Sequence, residues 1–263
     1  MDWWHNGVVT SPDGSAEGGW PAVEPVLADP AAERARRLDD LATAYRLLAA
    51  LRWGELGDGH ITCRDTEQSD HMWLLRYRVP FERAQPSDMV LVAPDGSAVD
   101  QDGHPARINN TAYHIHHPIH EARPDVTAAA HVHTAWGTPF AAERRMIEPI
   151  TQESTVFFED HALFDDEEVQ ILSCDGGKRI AVALGDGRAV ILANHGLLTV
   201  GSSPADATGW FVMMERVAEV QMKARHGLPI SAEAARASRD DIVEGDYGWD
   251  LFNWAIRRHL KVT

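Results

Sequence analysis

The stretch Thr127–Thr138 reads TAAAHVHTAWGT, and it places His131 and His133 one residue apart at the end of a small, apolar run. Because residues i and i+2 of a β-strand point to the same face of the sheet, both imidazoles can reach one metal ion. The same spacing also fits two polar residues that merely end a strand, so the pair alone leaves both interpretations open. A third ligand elsewhere in the chain would decide between them.

A third histidine stands in a comparable setting. His195 lies in the segment ILANHGLL, between two apolar runs that the pattern predicts as strands. We expect the neighbouring Gly196 to let the backbone bend there. Three neutral imidazoles would leave coordination positions open on a metal, so the sequence indicates a catalytic site for one divalent transition metal, namely zinc, iron(II), manganese or cobalt.

The composition limits the possible partners and locations. The chain has 263 residues, of which 44% are hydrophobic and 24% charged, as in globular proteins with a sizeable core. A net charge of −16 disfavours nucleic acid and anionic membranes as partners. No apolar run approaches the ~18 residues that a membrane span needs, and two cysteines cannot form a disulfide framework. We therefore expect a cytoplasmic protein with reduced thiols.

The order of the predicted elements indicates one domain that follows an N-terminal arm. Residues 1–29 are rich in Gly, Pro and acids, and they contain three of the nine tryptophans. A helix is predicted to begin after Asp29 and Pro30 and to end near Gly54. We assign 30–263 to a single domain whose last amphipathic segment, 249–260, forms a C-terminal helical extension.

Strands and helices alternate in the remaining sequence without a strict βαβ order. Strands are predicted at 60–65, 71–79, 89–96, 126–133 and twice within 189–201. Helices are predicted at 109–123, 136–144, 177–184 and 203–227, and 147–165 is a variable stretch without an assignment. This mixture favours an α/β fold in which a mixed sheet lies between layers of helices.

From about residue 38 to about 225, the chain resembles the class II aldolase/adducin family. The two strongest stretches are HIHHPIHEARPDVTAAAHVHT and AVILANHGLLTVG, which combine RPDV and HxH with a later NHGLL. The resemblance implies a three-layer α/β/α sandwich with a metal held by His131, His133 and His195. It also implies a homotetramer whose sites lie near subunit interfaces.

The chain departs from the sugar-phosphate aldolases of that family. Their Ser-Ser-Glu motif, whose Glu acts as acid and base beside the metal, falls on Asn110, Thr111 and Ala112 here. Gly59-His60 and the segment 76–80 replace the two phosphate-binding motifs. Ala112 cannot transfer a proton, so we expect a small carboxylic acid as substrate rather than a sugar phosphate, as in an adducin-like branch.

Two residues on the predicted helix 109–123 are candidates for the missing proton-transfer group. His116 and Tyr113 lie on nearly the same helical face, which His120 shares. A histidine needs only a modest pKa shift to transfer protons near neutral pH. The alternative for His116 is a structural role, in which it hydrogen-bonds its helix to the sheet.

Three further residues are candidates for substrate binding. His60 is predicted at the edge of the pocket. Arg76 and Arg78 flank Tyr77 and would point the same way along the predicted strand 71–79. They would either form a carboxylate clamp, which suits the guanidinium geometry, or belong to a solvated strand face.

Three functions remain open at this point. The first is a metal-dependent lyase or decarboxylase that acts on an oxo or hydroxy carboxylic acid. The second is a mononuclear non-heme iron oxygenase that decarboxylates an aromatic acid oxidatively, for which the tryptophans would suit the substrate. The third is a non-catalytic adducin-like interaction module. In each case we expect a homo-oligomer, because an arm that contains Trp3, Trp4 and Trp20 has reason to lie against protein.

Overall fold

The computed structural model describes Pro21 and residues 23–260, which contain one mixed sheet of eight strands. The order of the strands across the sheet is β4-β3-β2-β1-β5-β8-β7-β6, and all neighbours are antiparallel except β6 and β7. The strands are β1 (Gly59–Arg64), β2 (Met72–Leu75), β3 (Met89–Val92), β4 (Ala98–Val99), β5 (Ala128–Val132), β6 (His161–Phe164), β7 (Ala189–Leu192) and β8 (Gly196–Gly201).

Helices cover both faces of this sheet. Their bounds are α1 (Pro30–Ala50), α2 (Asn110–Ala122), α3 (Gly137–Ala142), α4 (Gln152–Thr155), α5 (Cys174–Leu184), α6 (Pro204–Lys223), α7 (Ala232–Ile242) and α8 (Tyr247–His259), with short 3-10 turns at Phe81–Arg83 and Pro86–Asp88. The largest core cluster joins α1, α3, α6 and α8 to one face, and α2 and α5 pack on the other. The predicted three-layer α/β/α sandwich with a mixed central sheet is confirmed.

The helix boundaries follow from local sequence signals. Asp29 caps α1 by accepting hydrogen bonds from the N–H groups of its first turn. The helix ends after Ala50, where Arg52 and Gly54 have positive φ angles of 64° and 72°. Asn109 caps α2 in the same manner, and α2 ends before Pro124 as predicted.

The strand predicted at 71–79 is shorter than expected, which corrects the arrangement of the two arginines. Strand β2 stops at Leu75, and the N–H of Val79 donates to the carbonyl of Arg76 in a turn. Arg78 has a φ of 72°, and Pro80 has no N–H with which to continue a ladder. Arg76 and Arg78 therefore do not alternate along a strand.

Four elements were missed by the sequence analysis, namely the short β4 and α4 together with β6 and α7. Strand β6 lies in the unassigned stretch 147–165, and it pairs with β7 alone at the edge of the sheet. Helix α7 buries only Ala235, so its sequence carries a weak apolar stripe. None of the helices in residues 23–260 combines the length and the hydropathy that a bilayer-spanning segment requires.

The described part of the arm is tied to the domain through Glu24. Its carboxylate accepts hydrogen bonds from Ser203 Oγ at 2.9 Å and from Arg36 at 3.1 Å, and its N–H donates to Asp246. These contacts anchor it on the starts of α6 and α8 and on α1. Trp3, Trp4 and Trp20 lie outside the described residues.

Candidate metal centre

The three predicted ligands meet at one end of the central strands. His131 belongs to β5, His133 follows this strand directly, and His195 lies in the turn between β7 and β8. The ring centroids are 4.7 Å apart for His131 and His195, 4.9 Å for His133 and His195, and 5.3 Å for His131 and His133. One nitrogen of each ring lies within 4.8 Å of a nitrogen of each of the other two rings. One metal ion could bind all three nitrogens at this spacing.

The turn that carries His195 differs from the expectation in one respect. Asn194, and not Gly196, has the positive φ angle, at 57°. Asparagine is among the residues that tolerate this left-handed conformation best. A side chain at Gly196 would place its Cβ 3.2 Å from Cε1 of His131, so this glycine leaves room for the imidazole rather than bending the backbone.

A backbone carbonyl orients the most deeply buried of the three predicted ligands. His131 is 1% exposed, and its Nδ1 donates to the carbonyl of Leu197 at 2.8 Å. A neutral imidazole that donates from Nδ1 keeps its lone pair on Nε2, so Nε2 is the nitrogen available to a metal. The N–H of His133 donates to the carbonyl of Asp58 at 2.9 Å, which joins the end of β5 to the start of β1.

Burial favours the neutral form of two of the three predicted ligands. Burial, followed by the neighbouring His195, holds the pKa of His131 well below its usual value. Burial, followed by His133, lowers the pKa of His195 to about 4. Metal ligation requires neutral imidazoles, and the donor set therefore suits zinc, iron(II), manganese or cobalt. Among the described residues, the cluster contains no carboxylate.

A carboxylate on α6 supports the loop that follows His133. Glu215 is 3% exposed and accepts hydrogen bonds from Thr134 Oγ1 at 2.5 Å, from the N–H of Gly137 at 2.7 Å and from the N–H of Trp136 at 3.0 Å. These contacts fix the chain where it leaves β5. The sequence contained a signal for this role, because Glu215 lies four residues after Phe211 within the apolar stripe of α6.

A second group of buried histidines adjoins the cluster. His60 is 3% exposed, and its ring centroid lies 5.0 Å from that of His131. Nδ1 of His60 lies 3.0 Å from Nε2 of His116, whose Nδ1 lies 2.8 Å from Thr62 Oγ1. Thr62 was missed by the sequence analysis, although strand alternation places it on the same face as His60.

The two predicted proton-transfer residues lie in different environments. Both ring nitrogens of the fully buried His116 are engaged, and burial, followed by His120, lowers its pKa well below the usual value. The hydroxyl of Tyr113 donates to the carbonyl of Pro94 at 2.7 Å, and burial raises its pKa to about 12. Catalysis by either residue stays a prediction.

The two predicted substrate-binding arginines are also separated. Arg76 follows the end of β2 and has a buried Nε without a hydrogen-bond partner among the described residues. Another nitrogen of its guanidinium lies 3.7 Å from a carboxylate oxygen of Asp100. Arg78 is exposed and lies 5.7 Å from the ring centroid of Tyr77. Arg76 alone therefore offers an unused buried donor.

Comparison with known proteins agrees with this architecture. Residues 39–222 match the family model described as Class II Aldolase and Adducin N-terminal domain. The chain belongs to this family. The solved structure of the L-fuculose 1-phosphate aldolase from Glaciozyma antarctica PI12 superimposes with a TM-score of 0.77 at 32% identity, and the match covers 89% of this chain and 94% of that one.

Two relatives are named as an oxygenase and a decarboxylase rather than as aldolases. This chain is 38% identical to the 4-hydroxy-3-prenylphenylpyruvate oxygenase/4-hydroxy-3-prenylbenzoate synthase of Streptomyces roseochromogenus subsp. oscitans, over 80% of this chain and 77% of the relative. It is also 38% identical to Decarboxylase NovR of Streptomyces niveus, over 80% of this chain and 79% of that one. Mouse gamma-adducin is 28% identical over 71% of this chain and 26% of its own length. Relatives with enzyme names support an enzymatic function.

Proposed function

We propose that this protein is a metal-dependent enzyme that decarboxylates an aromatic oxo or hydroxy acid. The observation that carries the proposal is the convergence of His131, His133 and His195, with Ala112 at the position of the aldolase Glu. A centre of this kind has three protein ligands and positions left for a substrate. It does not offer a carboxylic acid for proton transfer at that position.

The three histidines would hold one divalent metal through a nitrogen of each ring. A bound metal supplies Lewis-acid stabilisation of the negative charge that develops on an oxygen of the substrate. The residues of the chain provide the rest of the site. Leu197 keeps His131 in the required tautomer, and Glu215 holds the loop beyond His133.

We propose a carboxylic acid as the substrate. Because the protein is strongly acidic, binding of such an anion needs a local positive charge at the site. Arg76 provides a buried Nε without a partner at the end of the sheet where His60 lies. A guanidinium suits a carboxylate through paired N–H donors. We assign Arg76 to binding of the carboxyl group, with Arg78 at the exposed rim.

The oxidative form of this reaction is the form that the relatives favour. Two relatives at 38% identity are named as an oxygenase and as a decarboxylase. With iron(II) at the centre, dioxygen would be the oxidant and carbon dioxide a product. The second candidate is a lyase that needs no oxygen, which the aldolase structure at 32% identity supports. An adducin-like module without catalysis would have no use for the intact histidine cluster.

The test compares metals and substrates in one preparation. Metal-stripped protein is loaded anaerobically with iron(II) or zinc and mixed with 4-hydroxyphenylpyruvate, 4-hydroxymandelate or fuculose 1-phosphate. We expect carbon dioxide from an aromatic acid with uptake of oxygen by the iron form alone. Carbon dioxide without oxygen uptake would select the lyase. Cleavage of the sugar phosphate with both acids untouched would reject the proposal.

A further inference from the structure

A continuous series of buried hydrogen bonds leads from the carbonyl of Val126 to His60, beside the three-histidine cluster. Nδ1 of His120 lies 3.3 Å from this carbonyl, and Nε2 of His120 lies 2.9 Å from Thr62 Oγ1. Thr62 Oγ1 lies 2.8 Å from Nδ1 of His116, and Nε2 of His116 lies 3.0 Å from Nδ1 of His60. All four side chains are at most 5% exposed.

The Val126 end determines the direction of every bond in this series. A carbonyl oxygen only accepts, so Nδ1 of His120 must carry a proton. Burial, followed by the positive charge of Arg64, lowers the pKa of His120 to about 3, so this ring is neutral and its Nε2 accepts. The Thr62 hydroxyl must then donate to His120, and its free lone pair accepts from Nδ1–H of His116.

The same reasoning fixes the last ring in the series. His116 is fully buried without a carboxylate among its hydrogen-bond partners, so it is neutral and its Nε2 accepts from Nδ1–H of His60. Nε2 of His60 is left without a proton. This nitrogen has no hydrogen-bond partner among the described residues, and its ring lies 5.0 Å from that of His131.

We propose that this series of hydrogen bonds fixes His60 in its Nδ1–H tautomer, so that Nε2 accepts a hydrogen bond from a hydroxyl group on the carbon beside the carboxyl group of the substrate. The proposal rests on the proposed function, which brings an oxo or hydroxy acid to the histidine cluster beside which His60 lies. A buried bare acceptor favours a ligand that donates and disfavours one that cannot. The site therefore selects a 2-hydroxy acid over the same acid without the hydroxyl.

Thr62, His116 and His120 are positioning residues in this arrangement. The series ends on a carbonyl oxygen, which can neither release nor take up a proton at neutral pH. It therefore holds His60 in one orientation and does not conduct protons to solvent. The series of hydrogen bonds can be interrupted at Thr62, because valine has the same shape as threonine but lacks the hydroxyl.

The tautomers can be measured without any activity. Long-range 1H–15N correlation spectra of metal-free, 15N-labelled protein distinguish Nδ1–H from Nε2–H in each neutral histidine. We expect His60, His116 and His120 to carry the proton on Nδ1. Thr62→Val should release His60 from this tautomer, whereas Thr62→Ser should keep it. An Nε2–H signal for His60 in the unmodified protein, or an unchanged His60 in Thr62→Val, would overturn the positioning role.

The selectivity is measured by calorimetric titration of the zinc-loaded protein with 4-hydroxymandelate and 4-hydroxyphenylacetate, which differ in one hydroxyl. We expect the hydroxy acid to bind about fivefold more tightly or better, as one hydrogen bond to a buried acceptor allows. Thr62→Val should bring this ratio close to one, and Thr62→Ser should retain it. Thermal unfolding and zinc content verify that both variants remain folded and loaded.

The outcomes separate the two proposals. Equal affinities of the two acids in the unmodified protein would overturn the selection by His60 while leaving an acid-binding metal site intact. Binding of neither acid would reject the proposed function and the ligand role of His60 together. In that case the tautomer spectra still decide whether the series positions His60.

Discussion

His131 and His60 carry the same tautomer in this arrangement, and their positions relative to the three-histidine cluster separate their roles. The carbonyl of Leu197 accepts a hydrogen bond from Nδ1–H of His131, which leaves Nε2 for a metal. Nε2 of His116 accepts a hydrogen bond from Nδ1–H of His60, whose ring lies beside the three-histidine cluster without belonging to it. In each ring the hydrogen-bond acceptor at Nδ1 fixes the tautomer and leaves Nε2 without a proton.

Gly196 offers a test of how closely the ligands are packed. In Gly196→Ala the new Cβ would lie 3.2 Å from Cε1 of His131, so the imidazole must shift from its position. We expect zinc affinity to fall by about tenfold or more, as for other changes that disturb the orientation of ligands. Competition with a chromogenic chelator measures this affinity.

The matched control is Gly201→Ala at the other end of β8, where the Cβ would meet the backbone of Ala207 at 2.5 Å. This variant should lose stability without a change in zinc affinity. Equal zinc affinity in both variants would show that the site does not require the space at Gly196.

At the scale of elements, α6 and the end of β5 act together through Glu215. Glu215→Gln replaces a carboxylate that accepts three hydrogen bonds by an amide with one oxygen. We expect a loss of about 1–3 kcal/mol in the free energy of unfolding and weaker metal binding. Urea denaturation and the chelator assay measure the two effects.

Glu219→Gln is the control for this change, since Glu219 lies one turn further along α6 and pairs with Lys223 at its surface. It should leave both quantities nearly unchanged. Should Glu215→Gln behave like Glu219→Gln, the loop after His133 would not depend on α6.

Asp65 joins α1 to the turn between β1 and β2. Its environment predicts that the free energy of unfolding depends on pH. Burial alone would raise its pKa, but hydrogen bonds from Arg34 at 2.7 and 2.8 Å, with others from Trp73 and backbone N–H groups, hold the pKa well below its usual value. A carboxyl group with a lowered pKa stabilises the fold above its unfolded pKa of about 3.9, and this contribution is lost as the pH falls below it.

We expect Asp65→Asn to lose about 2–4 kcal/mol at pH 7, because it leaves the guanidinium of Arg34 without its carboxylate. The difference between the variant and the unmodified protein should shrink as the pH falls from 5 to 2, in denaturation series at each pH. Asp241→Asn, at an exposed position, is the control. A difference that is independent of pH would contradict the assigned ion pair.

Helices and strands also show most clearly what could and could not be predicted from the sequence. The caps Asp29 and Asn109 and the strand that leads into the HxH pair lie in local patterns, and the structure places these elements as predicted, although the strand ends one residue before His133. The early end of β2 depends on a turn closed by Val79, which periodicity does not reveal. The link between Thr62 and His120 spans 58 positions and exists only because α2 packs across β1.

At the scale of the whole molecule, the tetramer stays a prediction. The chain exposes large apolar side chains, among them Val182 at 82% and Leu228 at 87%. The domain assignment, with an arm at 1–29, also awaits a test. Light scattering coupled to gel filtration should give about four times the chain mass of 29.1 kDa at micromolar concentration. A mass near 29.1 kDa would exclude any contribution of a neighbouring subunit to the site.

The central claim is that His131, His133 and His195 hold one catalytic metal, and elemental analysis tests it most directly. Protein reconstituted with zinc, iron(II), manganese or cobalt and then freed of excess metal is measured by mass spectrometry. We predict about one ion per chain, and a loss of affinity of ~10²-fold or more in His131→Ala and His195→Ala. His226→Ala, at an exposed position outside any cluster of possible metal ligands in residues 23–260, should retain the ion. An unmodified protein that stays metal-free with all four metals would contradict the account.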